Sequence, residues 1–452
     1  MAQELIMTPS RLFPVTKGGG DKDRETNSTS VLLAALQGVP EFGRSLLQKM
    51  GAPAGRLETF VEVSFDLGDA KVRPDGLLKV TRGKTSWTAL VEVKTGHSKL
   101  DNAQVDRYHE VAQLNQFDAV LTISSQLVSA WGVLPVVPDK KLSKKVGRFH
   151  MSWSLIHTEA LLLDKNNSVK DPTQAWVLSE FLRYLDEKNS GPLDFYDLGE
   201  SWDEVNRSVI SSMLRPQDRG AEEVADHYLQ LTRFLAMELS RELGVPVQQL
   251  IAKKDRADIQ GLVRRMATDL AEAGKLTAAI SVPNAASAVF VTSDLRAQVI
   301  SCSARIDAPL KERASTRANW LLRQLREAPG SLLIQVNGPR KKDCGPVVTL
   351  EQALTKPELL MKGIDFEIAA FTLTLLTKTN FKKSAFIENA VEAVNRFYQG
   401  VVQNLKIWIP PAPKVRPEIP EADGETLNVL TDETGELSED LIEGSIEINR
   451  EL

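Results

Sequence analysis

Apolar and polar positions follow two rhythms along this chain, and the changes of rhythm mark its elements. The opening is polar, with no period through KGGGDKDRETNSTS, and reads as a flexible arm over residues 1–28. Apolar residues then recur at helical spacing across 30–50, at Val31, Leu32, Ala35, Leu46 and Leu47, with a break near Gly38 and Pro40. Period-two alternation follows at 59–65, where Val61, Val63 and Phe65 share one face. Strands are predicted at 76–80 and 88–94 around a turn-rich 81–86, then a helix over 102–117 and a strand at 119–124. A basic loop carrying Lys140, Lys141, Lys144, Lys145 and Arg148 leads to a strand-like run at 149–157.

From 171 to about 251 the pattern is mostly helical, as at 175–187 and 221–243. A second mixed region carries strands at 276–282, 288–292, 297–303 and 332–336, with helices at 314–327 and 384–399. The Pro-rich 410–420 predicts a stiff exit into a disordered tail. The pattern predicts an α/β protein in five parts: an arm (1–28), an α/β domain (29–165), a helical region (166–251), a second α/β domain (252–408) and a Pro-rich, acidic tail (409–452).

Composition narrows the function classes. With 42% hydrophobic and 25% charged residues in 452, the chain has the balance of a soluble globular protein. No run approaches the roughly 18–20 apolar residues of a membrane span, and the first residues lack the basic and apolar regions of a secretory signal. Cys302 and Cys344 form no CxxC pair, which argues against a disulfide framework or structural zinc and leads us to expect a reducing cytoplasm. His97, His109, His150, His157 and His227 show no zinc-hydrolase spacing. The net charge of −5 hides an asymmetry: from Glu418 onward twelve acidic residues face Arg450 alone, so the tail carries −11 and the rest +6. A mildly basic body is compatible with a polyanionic partner.

The chemistry concentrates in KVRPDGLLKVTRGKTSWTALVEVKTGHSKLDNAQVDRYHEV. Pro74 and Asp75 are followed, after sixteen intervening residues, by Glu92, Val93 and Lys94. Metal-assisted phosphodiester hydrolysis needs carboxylates converging on a hard cation, and positive charge for the developing phosphorane. In a strand Glu92 and Lys94 share a face, and Asp75 on the preceding strand is brought beside Glu92. The Val93 carbonyl is a third oxygen ligand in this reading, and a nearby cation would help depress the Lys94 pKa. Gln104 and Tyr108, four apart on the next helix, lean back over the site to orient a phosphate or to hydrogen-bond or stack near the strand. Other motifs carry less. Gly83, Lys84 and Thr85 mimic the end of a phosphate loop, but Leu78 stands where that loop needs glycine, so a hairpin turn is expected. His97 reads as a surface histidine, and Trp131 and Trp153 as core or rim residues.

This constellation resembles the PD-(D/E)xK nuclease superfamily, with its restriction-endonuclease-like fold, in the recombination-exonuclease-like branch that carries a helix motif like Gln104-x-x-x-Tyr108. The resemblance covers a quarter to a third of the chain. It implies an αβββαβ core, Mg²⁺ or Mn²⁺ on Asp75 and Glu92, Lys94 assisting the water, and Gln104 in support. It also implies an acidic residue from the preceding helix, for which Glu41 is the first candidate and Glu62 the second. The expected function is a Mg²⁺-dependent nuclease acting on DNA, by analogy in bacterial genome maintenance or defence. Tyr108, Lys140, Lys141, Lys144, Lys145 and Arg148 are its expected nucleic-acid contacts, and 166–408 its surface for a protein partner or a second copy. A non-cleaving nucleic-acid-binding or scaffold protein on the same fold, or an RNA-directed nuclease, are the alternatives.

Overall fold

A computed structural model of the chain describes residues 8–12, 20–67, 70–137, 139, 145–187, 197–310, 312–340 and 342–410. The first half runs β1 (Thr8–Pro9), α1 (Asp21–Gly38), α2 (Pro40–Leu47), β2 (Arg56–Val61), β3 (Phe65–Leu67), β4 (Ala70–Val72), β5 (Gly76–Arg82), β6 (Thr85–Val93), α3 (Asn102–Leu114), β7 (Ala119–Ser124), β8 (Gly147–Ser152), α4 (Trp153–Lys165) and α5 (Pro172–Asp186). Its sheet has the order β1-β2-β5-β6-β7-β8. An antiparallel meander, β2-β5-β6, passes into a parallel ladder, β6-β7-β8, through the crossover helix α3.

Both faces of this sheet are covered. Ala89, Val91, Val93, Leu121 and Ile123 pack against residues of α1, α2, α4 and α5, while Leu77, Leu90 and Val120 pack against Tyr108, Val111 and Ala112 of α3. β6 is therefore buried from Trp87 through Val93, as the middle of a two-faced sheet must be. Gly76 permits the close approach of α1: a Cβ there would stand 2.5 Å from Leu33 Cδ1.

The second half runs α6 (Trp202–Ile210), α7 (Arg219–Leu243), β9 (Gln248–Leu250), α8 (Lys253–Ala257), α9 (Ile259–Ala273), β10 (Lys275–Ser281), β11 (Val289–Asp294), β12 (Val299–Asp307), α10 (Ala314–Gln324), β13 (Leu333–Asn337), β14 (Cys344–Thr349), α11 (Leu350–Thr355), β15 (Ala370–Lys378) and α12 (Lys383–Gly400). Seven strands form an antiparallel sheet in the order β14-β13-β15-β12-β11-β10-β9. The alternating burial of β11 and β12 marks one covered face, packed on α7, α9 and α12, and one open face.

Several expectations need correction. The arm does not extend to residue 28, because α1 begins at Asp21 and buries Ser28, Thr29 and Ser30. The run at 149–157 is not one strand. β8 stops at Ser152, whose Oγ accepts the Leu155 N–H at 3.1 Å and caps α4. The region 166–251 is mostly helical as expected, with α5 packing on the first sheet and α6 and α7 on the second. Strands β14 and β15 and helix α9 went unpredicted. The chain divides between Ile409 and Pro410, and the expected disordered tail lies outside the described residues. Among the described residues no helix is long and apolar enough to cross a membrane.

Candidate active site

The register of β5 against β6 brings the carboxylates together. Gly76 pairs with Val91, so Asp75, one residue before β5, falls opposite Glu92. Residues directly opposite on antiparallel strands project from the same face, here the one that α3 covers. The parallel ladder extends the row through Thr122 to His150. Asp75 is anchored by the Val93 N–H, which donates to its Oδ2 at 2.7 Å.

Lys94 lies just past the end of β6. Its Nζ stands 2.7 Å from Glu92 Oε1 and 3.1 Å from Glu25 Oε1, so one ammonium joins the strand to α1. The Lys94 N–H donates to the Ile123 carbonyl at 2.8 Å, and the Lys94 carbonyl accepts from Trp153 Nε1 at 2.9 Å. Four elements (α1, β6, β7 and α4) thus fix this residue.

Glu92 is wholly buried. Lys94 Nζ stands against its Oε1 at 2.7 Å, and Oε2, also buried, has no hydrogen-bond partner among the described residues. Buried oxygens of this kind are costly and rare unless a cation or a ligand completes them. Burial, and then the charge of Glu92, push Asp75 up to about 7, against the Val93 hydrogen bond and Lys94, which pull it down. Burial also raises Glu25, with Lys94 opposing. For Lys94 burial works downward, but the charges of Glu92, Glu25 and Asp75 outweigh it and hold the ammonium above its ordinary value.

Gln104 Nε2 donates to Tyr108 Oη at 2.8 Å, and Tyr108 Oη donates to the Arg73 carbonyl at 3.3 Å. Tyr108 is 3% exposed, with its ring inside the α3 core. It therefore cannot stack on a base, contrary to the expectation. Its hydroxyl instead steadies the backbone two residues before Asp75. Burial, then Glu92, raise its pKa.

The helical carboxylate that the structure pairs with Lys94 is Glu25 of α1, which the sequence reading did not name. Glu62 sits at a positive-φ kink after β2 and pairs with Arg73 at 2.8 Å on the surface. Glu41 begins α2, and its Oε2 is buried without a partner. The signal for Glu25 was helical spacing, since residues 25, 29, 32 and 36 share a helix face with the buried Leu32 and Leu36.

Of the expected phosphate contacts, Lys140, Lys141 and Lys144 lie outside the described residues, and Lys145 is exposed just before β8. Arg148 aligns with Val120 and Leu90 near the start of the parallel ladder. That position is two strands and two residues from Glu92, on the order of 10 Å away, so it does not join the cluster. Arg148 Nη1 is buried with no partner.

Asp75 and Glu92, with the Val93 backbone between them, make an oxygen-rich corner. Among the described residues no group of three or more His, Cys, Asp or Glu side chains stands together as a metal site. Lys94 Nζ bridges Glu92 and Glu25, so an ammonium stands between those two carboxylates. Two carboxylates suffice for a Mg²⁺ ion that keeps several waters, and buried Glu92, with Lys94 on Oε1 and no partner on Oε2, fits such an ion. No known protein family, curated protein or solved structure matches the chain.

Proposed function

We propose that the chain is a metal-dependent nuclease of the PD-(D/E)xK type that hydrolyses phosphodiester bonds of DNA. The reading rests on one observation: Asp75 and Glu92 meet in register on adjacent strands, beside Lys94, with Glu92 wholly buried and Lys94 on its Oε1 alone. The order α1-β2-β5-β6-α3-β7 supports the restriction-endonuclease-like core, with β1, the β3-β4 ribbon and β8 as additions.

In this reading Asp75, Glu92 and the Val93 carbonyl would hold Mg²⁺ or Mn²⁺. A divalent ion supplies Lewis acidity to a phosphoryl oxygen and a water acidified for attack. The chain's own groups do the rest. Lys94, kept cationic by its carboxylates, places positive charge where the phosphorane develops. Glu25 and the Trp153 indole fix where that charge sits. Gln104 orients the Tyr108 hydroxyl, which holds the segment leading into Asp75.

The test is cleavage of linear, circular and single-stranded DNA, and of RNA, with Mg²⁺ or Mn²⁺ and with EDTA. Metal-dependent cutting that Asp75→Ala and Lys94→Ala each abolish is expected. Cutting by both variants at the parental rate would overturn the assignment of the site. A preference for RNA would redirect the substrate and leave the chemistry intact. Binding without cleavage, surviving loss of Glu92, would mark a scaffold that keeps the fold.

A further inference from the structure

A cavity of about 610 Å³ is walled by α4, α7 and the segments at 130–131 and 246–251. Arg233 projects into it from the middle of α7. Its guanidinium has five N–H donors, and among the described residues its one hydrogen bond runs from Nη1 to the Val128 carbonyl at 3.3 Å. Among the described residues no carboxylate pairs with it. The contrast is with Arg241, Arg265, Arg317 and Arg340, which pair with Glu238, Asp255, Glu367 and Asp343. Burial pulls the Arg233 guanidinium down to about 10, with no opposing charge to restore it. Withdrawing a cation from water without a counter-charge is unfavourable, so the position favours an anion supplied from outside.

The rest of the cavity indicates which anion. Arg256 lines it and turns Nε to the Ile251 carbonyl at 2.9 Å. Glu159 is its one lining carboxylate, and Lys49 neutralises it at 2.9 Å. Arg233 is therefore left without a counter-charge among the described residues, and Arg256, exposed at the rim, adds a second positive charge. Trp131, 41% exposed and backed by Phe149 at 6.2 Å, presents an aromatic surface to the same space, and Met237 adds an apolar wall. The volume falls in the range of pockets that enclose small ligands. A forked guanidinium suits a phosphate bidentately, and an exposed indole suits a flat base.

We propose that this cavity binds a phosphorylated nucleoside, with its phosphate on Arg233 and Arg256 and its base against Trp131. A free mononucleotide and the terminal nucleotide of a strand both carry that chemistry. The inference does not rest on the nuclease reading, because no residue of the carboxylate cluster lines the cavity.

The test uses the full chain in EDTA, by thermal unfolding and calorimetric titration with AMP, adenosine, inorganic phosphate, and oligonucleotides with and without a 5′-phosphate. AMP at 100 times its Kd should raise the melting temperature by a few degrees, and adenosine should not. Arg233→Met should weaken AMP at least tenfold while leaving the ligand-free melting temperature unchanged or higher. Trp131→Ala should reduce AMP affinity to that of inorganic phosphate. Should Arg233→Met fail to fold, Arg256→Gln should still weaken AMP severalfold. A 5′-phosphorylated oligonucleotide binding more tightly than AMP identifies a strand end, and the reverse order a free nucleotide. Absence of any AMP effect, or equal AMP binding by the parent and Arg233→Met, overturns the proposal.

Discussion

Asp75→Asn should make the metal-free protein more stable at alkaline pH while abolishing the proposed cleavage. In the fold the Asp75 carboxyl is raised from 3.8 to about 7, by burial first and by Glu92 second. Between those values the native state holds a proton that the unfolded chain has released, so stability falls as pH rises through that window. Above about pH 7 the cost is complete. At 1.36 kcal/mol per pH unit it reaches about 4 kcal/mol, an upper value because Asp75 and Glu92 titrate together. Asparagine removes that cost and keeps an oxygen for the Val93 N–H, but loses the charge in that bond, worth about 1–2 kcal/mol. The net gain should be about 2 kcal/mol at pH 8. At pH 4.5 it should vanish or reverse, since there the parent's carboxyl is largely protonated in the fold. The assay is urea unfolding in EDTA at both pH values. A variant less stable than the parent at pH 8, or a difference independent of pH, would refute the electrostatic account of the site. Added Mg²⁺ should then stabilise the parent and leave the variant unmoved, because a cation relieves the same repulsion.

Three further outcomes follow from the same geometry. Lys94→Met removes the one cation paired with wholly buried Glu92 and should cost about 3–5 kcal/mol at pH 8; an unchanged urea midpoint would show that the pair is not held in solution. Glu25→Gln should lower metal-dependent cleavage about 10–100-fold, as loss of a positioning partner does, whereas Glu62→Gln, on the surface with Arg73, should leave it unchanged; equal effects would return the role to Glu62. His150, fully enclosed between Thr122 Oγ1 and the Gln126 carbonyl, is held down at about 4 by burial, with Arg233 adding to it. The unfolded chain takes up a proton below about 6.5 that the native imidazole refuses, so stability falls as pH drops from 6.5 toward 4, by up to about 3 kcal/mol. His150→Gln should flatten that slope in urea titrations, and an unaltered slope would assign it to other groups.

Much of the first half was legible because its elements are short apolar runs between clear punctuation. The hairpin of β5 and β6 was bounded by a turn at Gly83 and Lys84, and β7 by the polar residues around it. Alternation correctly placed Glu92 with Lys94, but it implied a strand exposed on one face. Burial of both faces came from tertiary structure that periodicity does not carry. The start of α1 was hidden for a related reason. Ser28, Thr29 and Ser30 are buried small hydroxyls, and Thr29 satisfies itself on the Glu25 carbonyl, so no apolar rhythm announces the helix. Losing that turn meant losing Glu25, whose partner lies sixty-nine positions away. Strand β15 was visible in principle, with Phe371, Leu373 and Leu375 alternating with Thr372 and Thr374. The uncompensated charge on Arg233 had no sequence signature at all, since it depends on what α7 packs against.

The two halves also meet in the support of one short element. Trp153, the first residue of α4, holds the Lys94 carbonyl. One turn on, Arg241 of α7 grips the same helix. Its Nη2 donates to the Ser154 carbonyl at 3.1 Å and to the Ser154 Oγ at 2.7 Å, and its Nε to Thr158 Oγ1 at 2.9 Å. α7 is itself rooted in the core of the second sheet through Tyr228, whose hydroxyl donates to the Val291 carbonyl at 3.1 Å. A continuous set of hydrogen bonds and packed helices therefore runs from that sheet to the cation beside Glu92. In the proposed nuclease the position of Lys94 matters within about half an ångström, and an isolated α4 would fray at its first turn. The second half is in this sense part of the catalytic scaffold as well as a candidate recognition surface. The position of the proposed catalytic cation therefore depends physically on the residues that follow it in the chain.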